Sequence, residues 1–107
     1  MSTTTSAVSE KMLAAKFTIT RTGDGGFAWE RAIDGKAKVM VSDLDNGLGT
    51  VIEQDYMVGM ICDDDECMDG AMTLDHAIAW CDQAQALFKQ HGSIDAVADA
   101  LAQRWPA

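Results

Sequence analysis

The stretch Cys62-Asp63-Asp64-Asp65-Glu66-Cys67-Met68-Asp69-Gly70 places five acids, two thiols and a glycine in nine positions. How it is read decides the architecture. Ahead of it, Tyr56-Met57-Val58-Gly59-Met60-Ile61-Cys62 is apolar at nearly every position, the pattern of a strand covered on both faces. Such a run predicts a central strand, or one whose outer face meets a partner. Behind it, Thr73 to Gln90 carries the period of an amphipathic helix. Between the two, the acidic stretch reads as an exposed turn.

Working outward, Thr73 is an N-cap candidate and Asp75 suits the positive end of the helix dipole. Leu74, Ala77, Ile78, Cys81, Ala84 and Phe88 form the buried stripe, with Trp80 and Leu87 widening it. Gly92 stops this helix and Ser93 caps the next, whose stripe is Ile94, Val97, Ala98, Leu101 and Trp105, with Pro106 behind it. Upstream, Phe27 to Ile33 and Lys36 to Ser42 read as a hairpin around Asp34-Gly35. A two-residue loop would put Arg31 opposite Lys38 and split the apolar residues between faces. A three-residue loop, Ile33-Asp34-Gly35, pairs Phe27 with Val41, Trp29 with Val39 and Glu30 with Lys38, which keeps the apolar side chains together. Lys16 to Thr22 alternates as a half-buried strand, and Gly23-Asp24-Gly25-Gly26 turns it back. No helix and no lysine follow those glycines, so they are not a phosphate loop. Ser9 to Ala15 suggests a short helix with Ser9 as cap. Ser42 to Gln54 reads as a loop, with Thr50-Val51-Ile52 as a short edge strand.

These elements predict an α+β fold, an antiparallel sheet of about four strands followed by two C-terminal helices packed on one face. Residues 1–8 are expected to be a flexible N-terminal segment and 9–107 a single domain. At 107 residues the chain is long enough to bury a core without disulfides or metal. The opening Met-Ser-Thr-Thr-Thr-Ser lacks a basic head and an apolar run, and the three cysteines are an odd number, so reduced thiols and a cytoplasmic location are expected.

Charge is divided along the chain. Residues 1–42 hold six Lys/Arg against four Asp/Glu; from Asp43 onward thirteen acids face only Lys89 and Arg104, giving −9 overall. Such a field disfavours nucleic acids and anionic membranes and favours basic proteins.

The chemistry-bearing residues resolve into weak patterns. Cys62, Cys67, His76 and Cys81 invite a zinc site, but His76 and Cys81 point about 140° apart on a helix, and Cys81 lies in the buried stripe. An EF-hand begun at Asp65 gains Asp69 and Gly70, yet puts Cys67 at an oxygen position and His76 in place of the closing glutamate. A Cys–His pair drawn from Cys62 or Cys67 with His76 lacks an orienting third group, and neighbouring carboxylates weaken the thiol as a nucleophile. The expectation is therefore a non-enzyme with no cofactor and no metal. The second sheet face would show Thr18, Thr20, Ala28, Glu30, Lys38 and Met40, with either Met57 and Ile61 or Tyr56 and Met60. Unless the N-terminal segment or the 42–54 loop covers it, that face is an interaction surface.

In size and charge the chain is similar to small acidic bacteriophage proteins, among them anti-CRISPR and antirestriction inhibitors, a likeness of general type that assigns no residue a role. It implies an inhibitor that binds a basic, nucleic-acid-handling protein by charge mimicry. The partner-binding residues expected on that reading are Asp43, Asp45, Glu53, Asp55, Asp63, Asp64, Asp65, Glu66 and Asp69. A homodimeric accessory protein or a small metal-binding domain is the alternative.

Overall fold

In a computed structural model describing residues 7–22, 25–33, 35–45, 47–49, 52, 54–63 and 65–104 (the backbone alone at 71, 103 and 104), the apolar run Tyr56–Cys62 is strand β4. The elements run α1 Ala7–Ala14, β1 Thr18–Arg21, β2 Phe27–Ala32, β3 Ala37–Asp43, β4, β5 Asp65–Met72, α2 Leu74–His91 and α3 Ile94–Arg104. The strands lie in sequence order in one five-stranded antiparallel meander, so β4 is paired on both edges.

Strand β5 is where the sequence reading changes. The stretch expected to be a turn turns only at its start, where Asp63 takes a left-handed φ of 55°; Asp65 onward is strand. Aspartate and glycine have poor strand propensity, but β4 presents a second row of backbone donors and acceptors that must be answered. Pairing with β4 therefore makes a strand of a segment that local preference would leave in a loop. A bulge between Tyr56 and Met57 shifts the register near the end of β5.

The β2–β3 hairpin also differs in detail. Trp29 pairs with Val41, Arg31 with Val39 and Ala32 with Lys38, and Ile33 N–H closes the turn onto Ala37 O at 2.8 Å. The expected pairing is displaced by two residues. Because side chains alternate with period two, that displacement leaves every residue on its expected face. Glu30 and Lys38 now face each other diagonally, yet Lys38 Nζ still lies 3.2 Å from Glu30 Oε1.

One sheet face carries the core. Trp29, Val39, Val41, Tyr56, Val58 and Met60 meet the buried stripe of α2, while α3 packs on β4 and β5 and adds Ile94, Val97 and Leu101. Within α2, Trp80 and Leu87 are buried and Ile78 is only half-buried, so the stripe is rotated slightly from the expected one. The caps fall where expected: Thr73 Oγ1 accepts from His76 N–H, Gly92 is left-handed and donates to Phe88 O, and Ser93 Oγ accepts from Ala96 N–H.

The N-terminal helix begins at Ala7, two residues before the expected cap at Ser9, and sends Val8 and Met12 into the same core. It ends in a Schellman motif: Lys16, at φ 75°, donates to Leu13 O and Phe17 donates to Met12 O. That turn delivers Phe17 to the core just ahead of β1, which begins at Thr18, two residues after the expected strand start at Lys16. Arg31 fastens this region: its guanidinium donates to Ala15 O at 2.9 Å, pairs with Asp82 of α2 at 2.8 Å and lies over the Phe17 ring. The expected edge strand at Thr50-Val51-Ile52 falls partly outside the described residues, as do Gly23, Asp24, Asp34, Trp105 and Pro106; Ile52 itself lies in a turn.

Candidate interaction surface

Side chains on the other sheet face are assigned by the same alternation. Since Tyr56, Val58 and Met60 point into the core, Met57 and Ile61 point outward, which selects one of the two arrangements left open by the sequence. Beside them stand Ala28, Glu30, Lys38, Met40 and Ser42, and β5 adds Glu66 and Met68. The described parts of the segments that could cover this face pack elsewhere. Helix α1 packs into the core, and in the β3–β4 loop Leu48 O accepts from Trp29 Nε1 at 3.0 Å while Leu48 and Ile52 pack on the core. No second layer lies over the outer face among the described residues.

At its centre is a hollow of about 140 Å³ lined by Ala28, Met40, Met57, Gly59, Ile61 and Met68, with Glu66 at its rim. Met68 is 60% exposed, the most exposed large apolar side chain among the described residues. Thioether side chains adapt to irregular partners, and an apolar centre with charged edges is the anatomy of a protein-binding patch.

The acids expected to bind a partner are distributed by the topology. Asp43, Asp45 and Asp55 lie where β3 passes to β4; Asp63 and Asp65 lie at the other end of β4, about 20 Å away at 3.3 Å per residue. Glu66 faces outward, and Asp65 and Asp69 face the helical side. Glu53 and Asp64 fall outside the described residues. The seven described members thus form two end groups joined along β5, and some have local duties. Asp43 Oδ1 accepts from Asp45 N–H at 2.9 Å and Gly47 N–H at 2.7 Å, holding the loop, and Asp69 Oδ1 accepts from Gly70 N–H at 2.8 Å.

On the helical side of β5 lies a second hollow of about 310 Å³, between Cys67, Met68 and Asp69 of the strand and Ala98, Leu101 and Ala102 of α3. Trp80 of α2 lines it as well. Trp80 is 1% exposed, and its indole N–H has no acceptor among the described residues. This feature was not legible in the sequence, where Trp80 reads only as part of a helical stripe. A larger opening of about 710 Å³ lies where Lys36, Lys89, Asp63, Asp65 and Asp95 converge at one end of the molecule, with both signs of charge mixed along its wall.

The thiols and imidazoles do not assemble. Among the described residues no group of three or more His, Cys, Asp or Glu comes close enough to hold a metal ion. Burial pushes the Cys81 thiol up to about 12, with Arg31 opposing and Asp82 adding to the shift. Cys67 is also raised, by burial first and by Asp69 second. Thiols held in their neutral form are poor nucleophiles and poor metal ligands. No helix among the described residues is long and apolar enough to cross a membrane. Compared with protein-family models, curated proteins and solved structures, the chain finds no match in any of the three.

Proposed function

We propose that this protein is a non-enzymatic binding module whose partner is a basic protein, docked on the open sheet face and along β5. The observation that carries the reading is a sheet face left uncovered by the described residues, with its methionine-lined hollow, set in a chain of net charge −9. Charge selects the occupant. Two copies at −9 repel, whereas a cationic surface is drawn in at a raised on-rate and then held by desolvated apolar contact. When the partner's basic surface is one that receives phosphates, occupation by carboxylates inhibits it by charge mimicry, and a nucleic-acid-handling protein is the partner class that fits. The two end groups of acids then act as separate contacts flanking the apolar centre, not as one continuous phosphate-like row.

The test separates apolar contact from charge. Sedimentation of the chain alone should show a monomer. Proteins retained from lysate of the native host by the wild type should be basic, lost as salt rises, and lost from Met40→Asn/Met68→Asn, which keeps the net charge. A concentration-dependent dimer broken by the same pair of changes would replace the basic partner with a second copy. Retention that is indifferent to both salt and the methionines would refute the surface altogether.

A further inference from the structure

The edge strand β5 ends the sheet, and its outer row of backbone groups has no strand beside it among the described residues. Eight residues long, it offers twice the length of the other edge, the four-residue β1. Exposed edges of this length are templates for another strand unless covered. Here α3 packs on the helical side of β5, and between the two lies the hollow walled by Ala98, Leu101 and Ala102. The small side chains of Ala98 and Ala102 on that wall leave room for the inward residues of an added strand. Outside, the Met68 side of the edge continues into the outer-face hollow. Buried Trp80 adds an independent sign of a ligand, because a desolvated N–H without an acceptor is a cost that binding can remove.

We infer that β5 receives an extended, basic segment of the partner as a sixth strand, with a side-chain oxygen on its inward face accepting from the Trp80 indole N–H. This rests on the basic-partner reading and supplies its mode. Backbone pairing gives affinity, and alternate side chains give selectivity: one set meets Ala98 and Leu101, the other meets Met68. Asp65, Glu66 and Asp69 lie on β5 itself, so a strand bearing lysine or arginine is favoured there. The same acids oppose a second copy of β5, since like charges directly across a pair of strands destabilise it. Asp69 already answers one amide, Gly70 N–H, near the bulge, so pairing centres on the stretch before it.

Three capped octapeptides test this against the isotope-labelled full chain: alternating Lys-Val with one central Val replaced by Thr to supply the side-chain oxygen (Lys-Val), the same sequence N-methylated at every backbone amide, and the matching peptide with Glu in place of Lys (Glu-Val). The expected result with Lys-Val is slowed hydrogen exchange of alternate amides in β5 and a shift of the Trp80 indole resonance. The N-methylated peptide keeps the charge but loses the strand hydrogen bonds, so it should bind about tenfold or more weakly. Glu-Val should not bind. Trp80→Phe should lose about fivefold in Lys-Val affinity while the slowed exchange persists at saturation. Equal binding of the N-methylated peptide would mean charge attraction only, and protection on β1 would misplace the edge; either outcome overturns the inference. So would β5 protection that rises with protein concentration in the absence of peptide. If a basic partner still binds through Met40 and Met68 while β5 amides exchange freely, the strand addition fails and the basic-partner reading stands.

Discussion

Two tryptophans provide a matched experiment on the polar logic of this core. Trp29 and Trp80 are each 1% exposed, but Trp29 donates to Leu48 O at 3.0 Å whereas Trp80 donates to nothing among the described residues. Replacing either by phenylalanine removes a similar volume, at about 1–2 kcal/mol for the incompletely filled space. In Trp29→Phe the lost hydrogen bond and the abandoned Leu48 carbonyl add about 1–2 kcal/mol, for a total near 2–4. In Trp80→Phe the unanswered donor is deleted, returning about 1–3 kcal/mol of desolvation, so the two terms nearly cancel. The prediction is that Trp29→Phe is less stable than Trp80→Phe by about 2–5 kcal/mol, the sum of the two polar terms once the similar volume losses cancel. Urea unfolding followed by far-ultraviolet circular dichroism measures it, since indole emission is itself altered by both changes. Unchanged slopes with urea would confirm that only stability moved. Equal losses in the two variants would refute the claim that the Trp80 N–H is buried without a partner, and with it one support of the strand-addition inference.

Other outcomes follow from the loop and the buried thiol. Gly49 sits at φ 82° with the hydroxyl of fully buried Tyr56 where a Cβ would lie. Gly49→Ala should therefore cost about 2 kcal/mol or more from left-handed strain and displacement of the loop, measured by thermal or urea unfolding; a neutral result would mean that the loop does not rest on Tyr56. Cys81, raised to about 12 from 9.0, favours its neutral form in the native state. Its contribution is whole below the ordinary value, then falls as pH rises, because the unfolded chain ionises first, by about 1.4 kcal/mol per pH unit until the native thiol titrates. Cys81→Ala should remove this part of the alkaline loss, so the stability gap between wild type and variant should narrow between pH 9.0 and 12. A gap constant across that range would show that Cys81 is not held neutral by the core.

What could be read from the sequence was whatever depends on residues near one another in the chain. The caps at Thr73, Gly92 and Ser93, the apolar stripe of α2 and the inward face of the β2–β3 hairpin all come from short-range periodicity, and they are present except that Ile78 is only half-buried and Phe27 is exposed. Face assignment survived a wrong register because a displacement of two residues preserves side-chain direction. Strand β5 was not legible, since its acids and Gly70 argue locally for a turn and only the unanswered edge of β4 makes it a strand. The choice of Met57 and Ile61 for the outer face, the division of the carboxylates between two ends of the sheet, and the meeting of Trp80 with α3 and β5 likewise required the tertiary structure. Each depends on which elements become neighbours, and that is fixed by pairing and packing between residues far apart in the chain, where no local pattern records it.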